Sequence, residues 1–245
     1  MRLRKLALGG VLLLSVLSPL AALAADDDLD EFRTRLGTEW RLTKQDNLRN
    51  IKTYARLEEG KRYRSFKVEA ELDGDVDALA RVILDFDNYT KWFWETRESR
   101  LVKQISPTEY IVYMVHKAPY TLPDRDTVLR GVVEPQTRSK PYVVLRVSAM
   151  PDYLPLKPPL VRMPAEEMTI KFSPLPGNKV QMEAEGFFDP GGTVPAWAAN
   201  FVQRAAPYSV VLGMQRMMAQ DKYQKGRNLP FPVYSYSFYN NANGG

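Results

Sequence analysis

The stretch Val180-Gln181-Met182-Glu183-Ala184-Glu185-Gly186-Phe187-Phe188-Asp189-Pro190-Gly191-Gly192-Thr193-Val194-Pro195-Ala196-Trp197 changes its period part-way along. Val180, Met182, Ala184 and Gly186 fall on alternate positions, the pattern of a strand with one face turned to a core. Asp189-Pro190-Gly191-Gly192 supplies turn chemistry that lets such a strand reverse. Pro195 suits the first turn of a helix, where its missing N–H has no intrahelical partner in any case. From there to about Tyr223, the residues Trp197, Phe201, Ala205, Tyr208, Leu212 and Met218 recur at helical spacing. Pro207 is expected to kink or divide this helix. A strand delivered into a long amphipathic helix calls for a sheet lying against that helix.

Working outward, apolar and polar residues roughly alternate over 50–57 and 63–72, two strands joined by a turn at Glu59-Gly60. Asp73 or Asp75 then caps a helix whose Val76, Leu79, Ala80, Ile83 and Leu84 share one face. Further strands are predicted at about 98–105, 109–117, 126–134, 142–150, 161–172 and 179–188. Each is bounded by turn residues such as Ser106-Pro107, Pro123-Asp124 and Pro176-Gly177-Asn178. The inward rows read Leu129, Gly131 and Val133 on one strand, and Val143, Leu145 and Val147 on the next. The fold class is α+β: a curved antiparallel sheet wrapped around a long C-terminal helix, with room for an internal apolar cavity. A short helix over 28–40 precedes it, and the tail over 225–245, rich in Pro, Tyr, Asn and Gly, is expected to be extended or disordered.

The amino terminus reads as an export signal. Arg2, Arg4 and Lys5 precede an apolar run from Leu6 to Leu17, and Ala22-Leu23-Ala24 places small residues at a cleavage site. That run is short for a bilayer crossing, so residues 1–24 are expected to be removed and the mature chain to work in the periplasm. Removing Arg2, Arg4 and Lys5 takes three charges from the formal +5 and leaves +2, which weakens a nucleic-acid reading. With no cysteine there are no disulfides, no thiolate chemistry and no thioether-linked lipid anchor. The single histidine, His116, argues against a His-rich metal site, and no phosphate loop or dinucleotide fingerprint is present. No metal and no cofactor are expected.

Four stretches carry a family likeness. They are Trp40-Arg41-Leu42 with Ile51-Lys52-Thr53-Tyr54-Ala55-Arg56; Tyr89-Thr90-Lys91-Trp92; Pro119-Tyr120-Thr121-Leu122-Pro123-Asp124-Arg125-Asp126; and Asp189 to Trp197 with Asn200 and Ala206-Pro207-Tyr208. In this order, over about 38–224, they resemble the START domain, the steroidogenic acute regulatory protein-related lipid transfer family. The resemblance implies the helix-grip fold and one lipid held between sheet and closing helix. It implies a gate formed by that helix and the loop over 150–160. The mature chain would divide into a leading segment 25–37, the domain 38–224 and the tail. In sterol-binding members an arginine follows six positions after the Arg of the Arg-Asp motif. Gly131 stands there, so a phospholipid or other acyl-chain lipid is favoured over a sterol.

The residues expected to line the cavity are Met114, Leu129, Gly131, Leu145, Val147, Met168 and Met182, with Trp197, Phe201, Tyr208 and Leu212 from the helix. Arg162 is assigned to a lipid phosphate. The loop Met150 to Leu160 is too Pro-rich for regular structure and shows Tyr153, Leu154 and Leu156 beside Lys157. It reads either as a gate that touches anionic membranes or as a rigid strap packed on the core. Arg125-Asp126 would pair at a strand start. Glu166 and Glu167, adjacent on a strand, point to opposite faces and make a poor acid–base couple, with Glu167 the one weighed for an inward position. His116 reads as a structural residue. The expectation is a monomeric, non-enzymatic carrier making brief contact with envelope membranes. The alternatives are a helix-grip enzyme, of cyclase or hydrolase type, on a hydrophobic substrate, and a lipid sensor that transfers nothing.

Overall fold

In a computed structural model of the chain, residues 39–58, 64–226 and 228–242 are described. The export signal, the segment 25–37, all but the end of the helix expected over 28–40, and the Glu59-Gly60 turn lie outside them.

The alternating stretches form β1 (Arg41–Asp46), β2 (Ile51–Leu57), β3 (Arg64–Asp73), β4 (Thr96–Ser106) and β5 (Glu109–His116). They continue as β6 (Arg125–Glu134), β7 (Val143–Ala149), β8 (Val161–Arg162), β9 (Ala165–Leu175) and β10 (Lys179–Asp189). All ten belong to one open, curved sheet in the order β1-β2-β3-β10-β9-β7-β6-β5-β4, with β8 paired to β6. Every pairing is antiparallel except β6 with β8. One strand was expected over 161–172. Met163-Pro164 splits it, because Pro164 has no N–H to give to a ladder.

The chain leaves β3 near the middle of the sheet and re-enters at the far edge as β4. The crossing is made by α1 (Val76–Leu84) and a 3-10 turn at Phe86–Lys91. Asp75 is the cap, its carboxylate accepting from Ala78 N–H at 2.7 Å. Val76, Leu79 and Val82 are buried against Val68, Leu72, Val180 and Phe172 of the sheet.

The closing helix α2 (Ala196–Met218) runs unbroken through Pro207, and the break comes later, at Ala219-Gln220, before the short α3 (Asp221–Gln224). Pro207 removes one intrahelical bond, to the Gln203 carbonyl, and tertiary packing of the second half of α2 outweighs that loss. Val211, Met214, Met217 and Met218 are buried there. The tail is not wholly extended. Phe231 and Tyr239 are buried, Gln136 holds both the N–H and the carbonyl of Tyr234, and α4 (Tyr236–Ala242) is the last described element. Aromatic residues that bury well outweighed the loop-like composition.

Candidate functional site

Between the sheet, α1, the aromatic segment 86–94 and α2 lies a cavity of about 580 Å³. Its wall follows from strand alternation. Met114 comes from β5, Leu129 and Gly131 from β6, Leu145 and Val147 from β7, Met168 from β9 and Met182 from β10. These seven are where the sequence pattern puts them.

The helix is different. The face of α2 on the cavity carries Ala198, Ala199, Val202, Ala206, Val210 and Met214. Trp197 and Phe201 are about half exposed, Leu212 packs on the main core, and the Tyr208 hydroxyl donates to Asp46 at 2.6 Å. The bulkiest apolar stripe therefore lies beside the cavity, and small side chains face inward. Bulky ones would fill the space.

Phe86, Tyr89, Trp92 and Phe93 form an aromatic wall that the sequence reading passed over. Tyr89 stacks on Phe93 with centroids 5.9 Å apart, and Trp92 meets Tyr89 edge-on at 4.9 Å. The run Phe86-Asp87-Asn88-Tyr89-Thr90-Lys91-Trp92-Phe93-Trp94 was the available signal. Gly213 lets α2 reach this wall, because a Cβ there would stand 2.2 Å from the Trp92 carbonyl oxygen.

Besides the tyrosines, five ionisable groups line the otherwise apolar surface: His116, Lys117, Arg125, Glu166 and Asp189. His116 and Arg125 face each other across β5 and β6 in register. The His116 Nδ1 lies 3.3 Å from the Trp94 carbonyl and 3.2 Å from Thr96 Oγ1. A carbonyl only accepts, so Nδ1 carries the proton and Nε2 is left as an acceptor. Burial pulls this imidazole down to about 4, and it is neutral. Glu166 is buried on β9, and burial pushes its carboxyl up to about 7, with the nearby Thr127 hydroxyl offsetting part of the rise. The two glutamates do point apart, but the inward one is Glu166, and Glu167 is exposed.

Two expectations about arginines fail for the same reason. Arg125 and Asp126 are neighbours on β6, so they point to opposite faces and do not pair with each other. Asp126 turns away from the cavity and holds Arg162 in a bidentate ion pair at 3.0 and 2.8 Å. Both side chains are almost fully buried, at 1% and 5% exposed. Arg162 is thus not a cavity residue. Its guanidinium also donates to the carbonyls of Pro151, Leu154 and Pro155, tying down the 150–160 loop.

That loop lies on the other side of the sheet from the cavity. On β5, Tyr110, Val112, Met114 and His116 face inward, while Ile111, Tyr113 and Val115 face outward. Leu154, Met150 and Leu160 pack on the outward set, and the Lys157 ammonium sits 4.4 Å from the Tyr113 ring centre. Leu156 and Tyr153 are exposed. None of the three residues expected at the gate lines the cavity: Leu154 packs on the far face of the sheet, and Tyr153 and Leu156 are exposed there.

The cavity's solvent-facing rim lies elsewhere. It is formed by the β5–β6 connection, with Lys117, Pro119 and Leu122, and by Gly192, Val194 and the first turns of α2. Tyr120, 88% exposed, meets Trp197 edge-on at 5.1 Å, and Trp94 meets Phe201 at 5.9 Å. Two aromatic contacts thus flank the mouth.

A curved antiparallel sheet closed by a C-terminal helix over an apolar cavity defines the helix-grip class. Residues 25–226 match the START domain, and the chain belongs to that family. A STAR-related lipid transfer protein from Xanthomonas axonopodis is 29% identical. It superposes with a TM-score of 0.67 over 74% of this chain and 99% of its own. Human STARD10, 19% identical, superposes at 0.63 over 86% of this chain and 91% of its own. A Pseudomonas aeruginosa protein is 23% identical over 180 residues, 74% of this chain and 87% of that protein.

Proposed function

We propose that the protein is an exported carrier that takes one lipid into this cavity, shields its alkyl part from water, and releases it at a membrane. The observation that carries the reading is the largely apolar cavity between the sheet and the closing helix. At about 580 Å³ it falls within the range of ligand pockets and holds roughly twenty water-sized groups. That suits one long alkyl chain better than two. Each methylene moved out of water contributes about 0.8 kcal/mol, so a single chain binds firmly without covalent chemistry.

The gate is the rim of the cavity: the β5–β6 connection with Tyr120, against Trp197 and Phe201 at the start of α2. Tyr120 and Trp197, each with an apolar body and one polar edge, suit the membrane interface, and Lys117 adds a cation on the same connection as Tyr120. Residues 1–24 support periplasmic placement. Among the described residues, no helix is long and apolar enough to cross a membrane, and no cluster suited to a metal ion occurs.

An enzyme on the same fold is the rival reading. Glu166, held at about 7 in the same cavity as His116, is its best support. Native mass spectrometry of protein drawn from the periplasm separates the two. A carrier shows a stoichiometric adduct with the mass of an intact lipid, and the Glu166→Gln variant keeps it. An empty chain overturns the carrier, and an adduct altered only by wild type favours the enzyme.

A further inference from the structure

Arg125 is 7% exposed, on the cavity wall, and takes part in none of the ion pairs among the described residues. Two of the nearby acids are paired with other arginines, and the third, Asp189, lines the same cavity but makes no ion pair with Arg125. Asp126 pairs with Arg162, Asp124 with Arg97, and Asp189 accepts from Gly191 N–H. The guanidinium donates to the Pro123 carbonyl through Nη1 and to the Pro190 carbonyl through Nε at 3.3 Å. These contacts orient it without neutralising it, and no bond from Nη2 is described. A buried cation with only carbonyl partners is costly, and burial lowers its pKa accordingly. It lies toward the mouth: Pro190 leads through the buried Gly191 to the exposed Gly192 on the rim, and Lys117, Pro119 and Leu122 lie on the other side. Gly131, six positions further along β6, offers no second cation deeper in.

We propose that Arg125 is the headgroup anchor of the cavity, and that the cargo is a single-chain lipid ending in an oxyanion, a carboxylate or a phosphate. This rests on the carrier reading above and adds the chemical class of the ligand. The oxyanion supplies the missing counter-charge and takes the free Nη2 donors. The alkyl chain runs inward past Leu129 and Met168 toward Phe172 and Val68, where the wall carries no charge. The volume limits the ligand to one long chain.

The test uses the delipidated full mature chain and competition against an uncharged fluorescent alkyl probe. The competitors are palmitate, palmitoyl lysophosphatidate and uncharged monopalmitoylglycerol. In wild type both acids displace the probe at concentrations about tenfold or more below that of the glycerol ester, the effect of a charge-assisted contact. The tighter acid identifies carboxylate or phosphate as the source. Arg125→Gln abolishes the preference and keeps the affinity for the uncharged lipid, while Arg125→Lys retains part of it. Equal binding of acids and ester by wild type overturns the anchor and leaves the carrier standing. That comparison needs no variant, so it decides even if the Gln variant does not fold. A folded Arg125→Gln that still prefers the acids also overturns the anchor. Failure of all three lipids to bind overturns the carrier reading itself.

Discussion

Replacing Glu166 by Gln tests whether the cavity is as dry as its lining implies. The carboxyl sits at about 7 in the folded chain against 4.5 when free. An acid raised in this way holds its proton more tightly folded than unfolded. Its favourable share of stability is complete below pH 4.5 and is lost as pH rises to 7. The loss accumulates at about 1.4 kcal/mol per pH unit, about 3 kcal/mol across the window. His116 acts in the opposite direction. Its imidazole is lowered from 6.5 to about 4, so stability is lost as pH falls through that interval, by a similar amount. In wild type these two slopes oppose each other between pH 4.5 and 6.5, and their contributions nearly cancel. Glu166→Gln removes one of them. The variant therefore gains about 3 kcal/mol on wild type between pH 4 and pH 7.5, most of it inside the Glu166 window. The measurement is urea unfolding of delipidated protein at about pH 4, 5.5 and 7.5, followed by tryptophan fluorescence. A difference between variant and wild type that does not change with pH would refute the buried-acid argument, and with it the dry cavity.

Three other changes separate the cavity from the back of the sheet. Gly131→Leu places a side chain into the cavity, where the nearest atom to its Cβ is Leu145 Cδ1 at 3.8 Å, an ordinary contact. The fold should accept it, and the bound lipids should shift to shorter chains in native mass spectra; an unchanged chain-length distribution counts against the assigned cavity. Asp126→Asn leaves the Arg162 guanidinium buried without its counter-charge and should cost about 3–5 kcal/mol in denaturant unfolding. Its companion Leu154→Asp should lower stability but leave transfer per folded molecule unchanged. A slowed transfer would restore the 150–160 loop as a gate.

The sheet was legible because its residues alternate, and each inward row of β6, β7 and β10 was fixed by parity alone. Parity also explains the errors. Arg125 and Asp126 look like a pair in sequence, yet alternation forbids adjacent strand residues from sharing a face, and the real partner, Arg162, arrives through the parallel β6–β8 contact. A pairing between a two-residue strand and the start of another leaves no periodic signal. The 150–160 loop was ambiguous for a related cause. Its apolar tips reveal that they want cover, not which face of the sheet supplies it. The helix misled through weight. Trp197, Phe201, Tyr208 and Leu212 dominate any reading of apolar spacing, while Ala198, Ala199 and Ala206, which face the ligand space, scarcely register.

Those alanines bear on why the cavity exists at all. A closely packed interior is the ordinary outcome of folding, and an empty apolar cavity costs about 24 cal/mol per Å³. Larger residues at Ala198, Ala199, Ala206 or Gly131 would have removed the cost. The chain instead keeps small residues on α2 and Gly131 on β6, opposite a rigid aromatic wall, so the space is maintained against a strong drive to fill it. On the carrier reading, an occupant takes up that space. With lipid bound, the chain restores the packing that the small residues leave out. Without it, water must enter past Tyr120 and Trp197, or α2 must settle onto the sheet. On the carrier reading proposed above, filling the cavity would stabilise the closing helix, so bound lipid should raise the midpoint of urea unfolding, and an unchanged midpoint would count against that coupling.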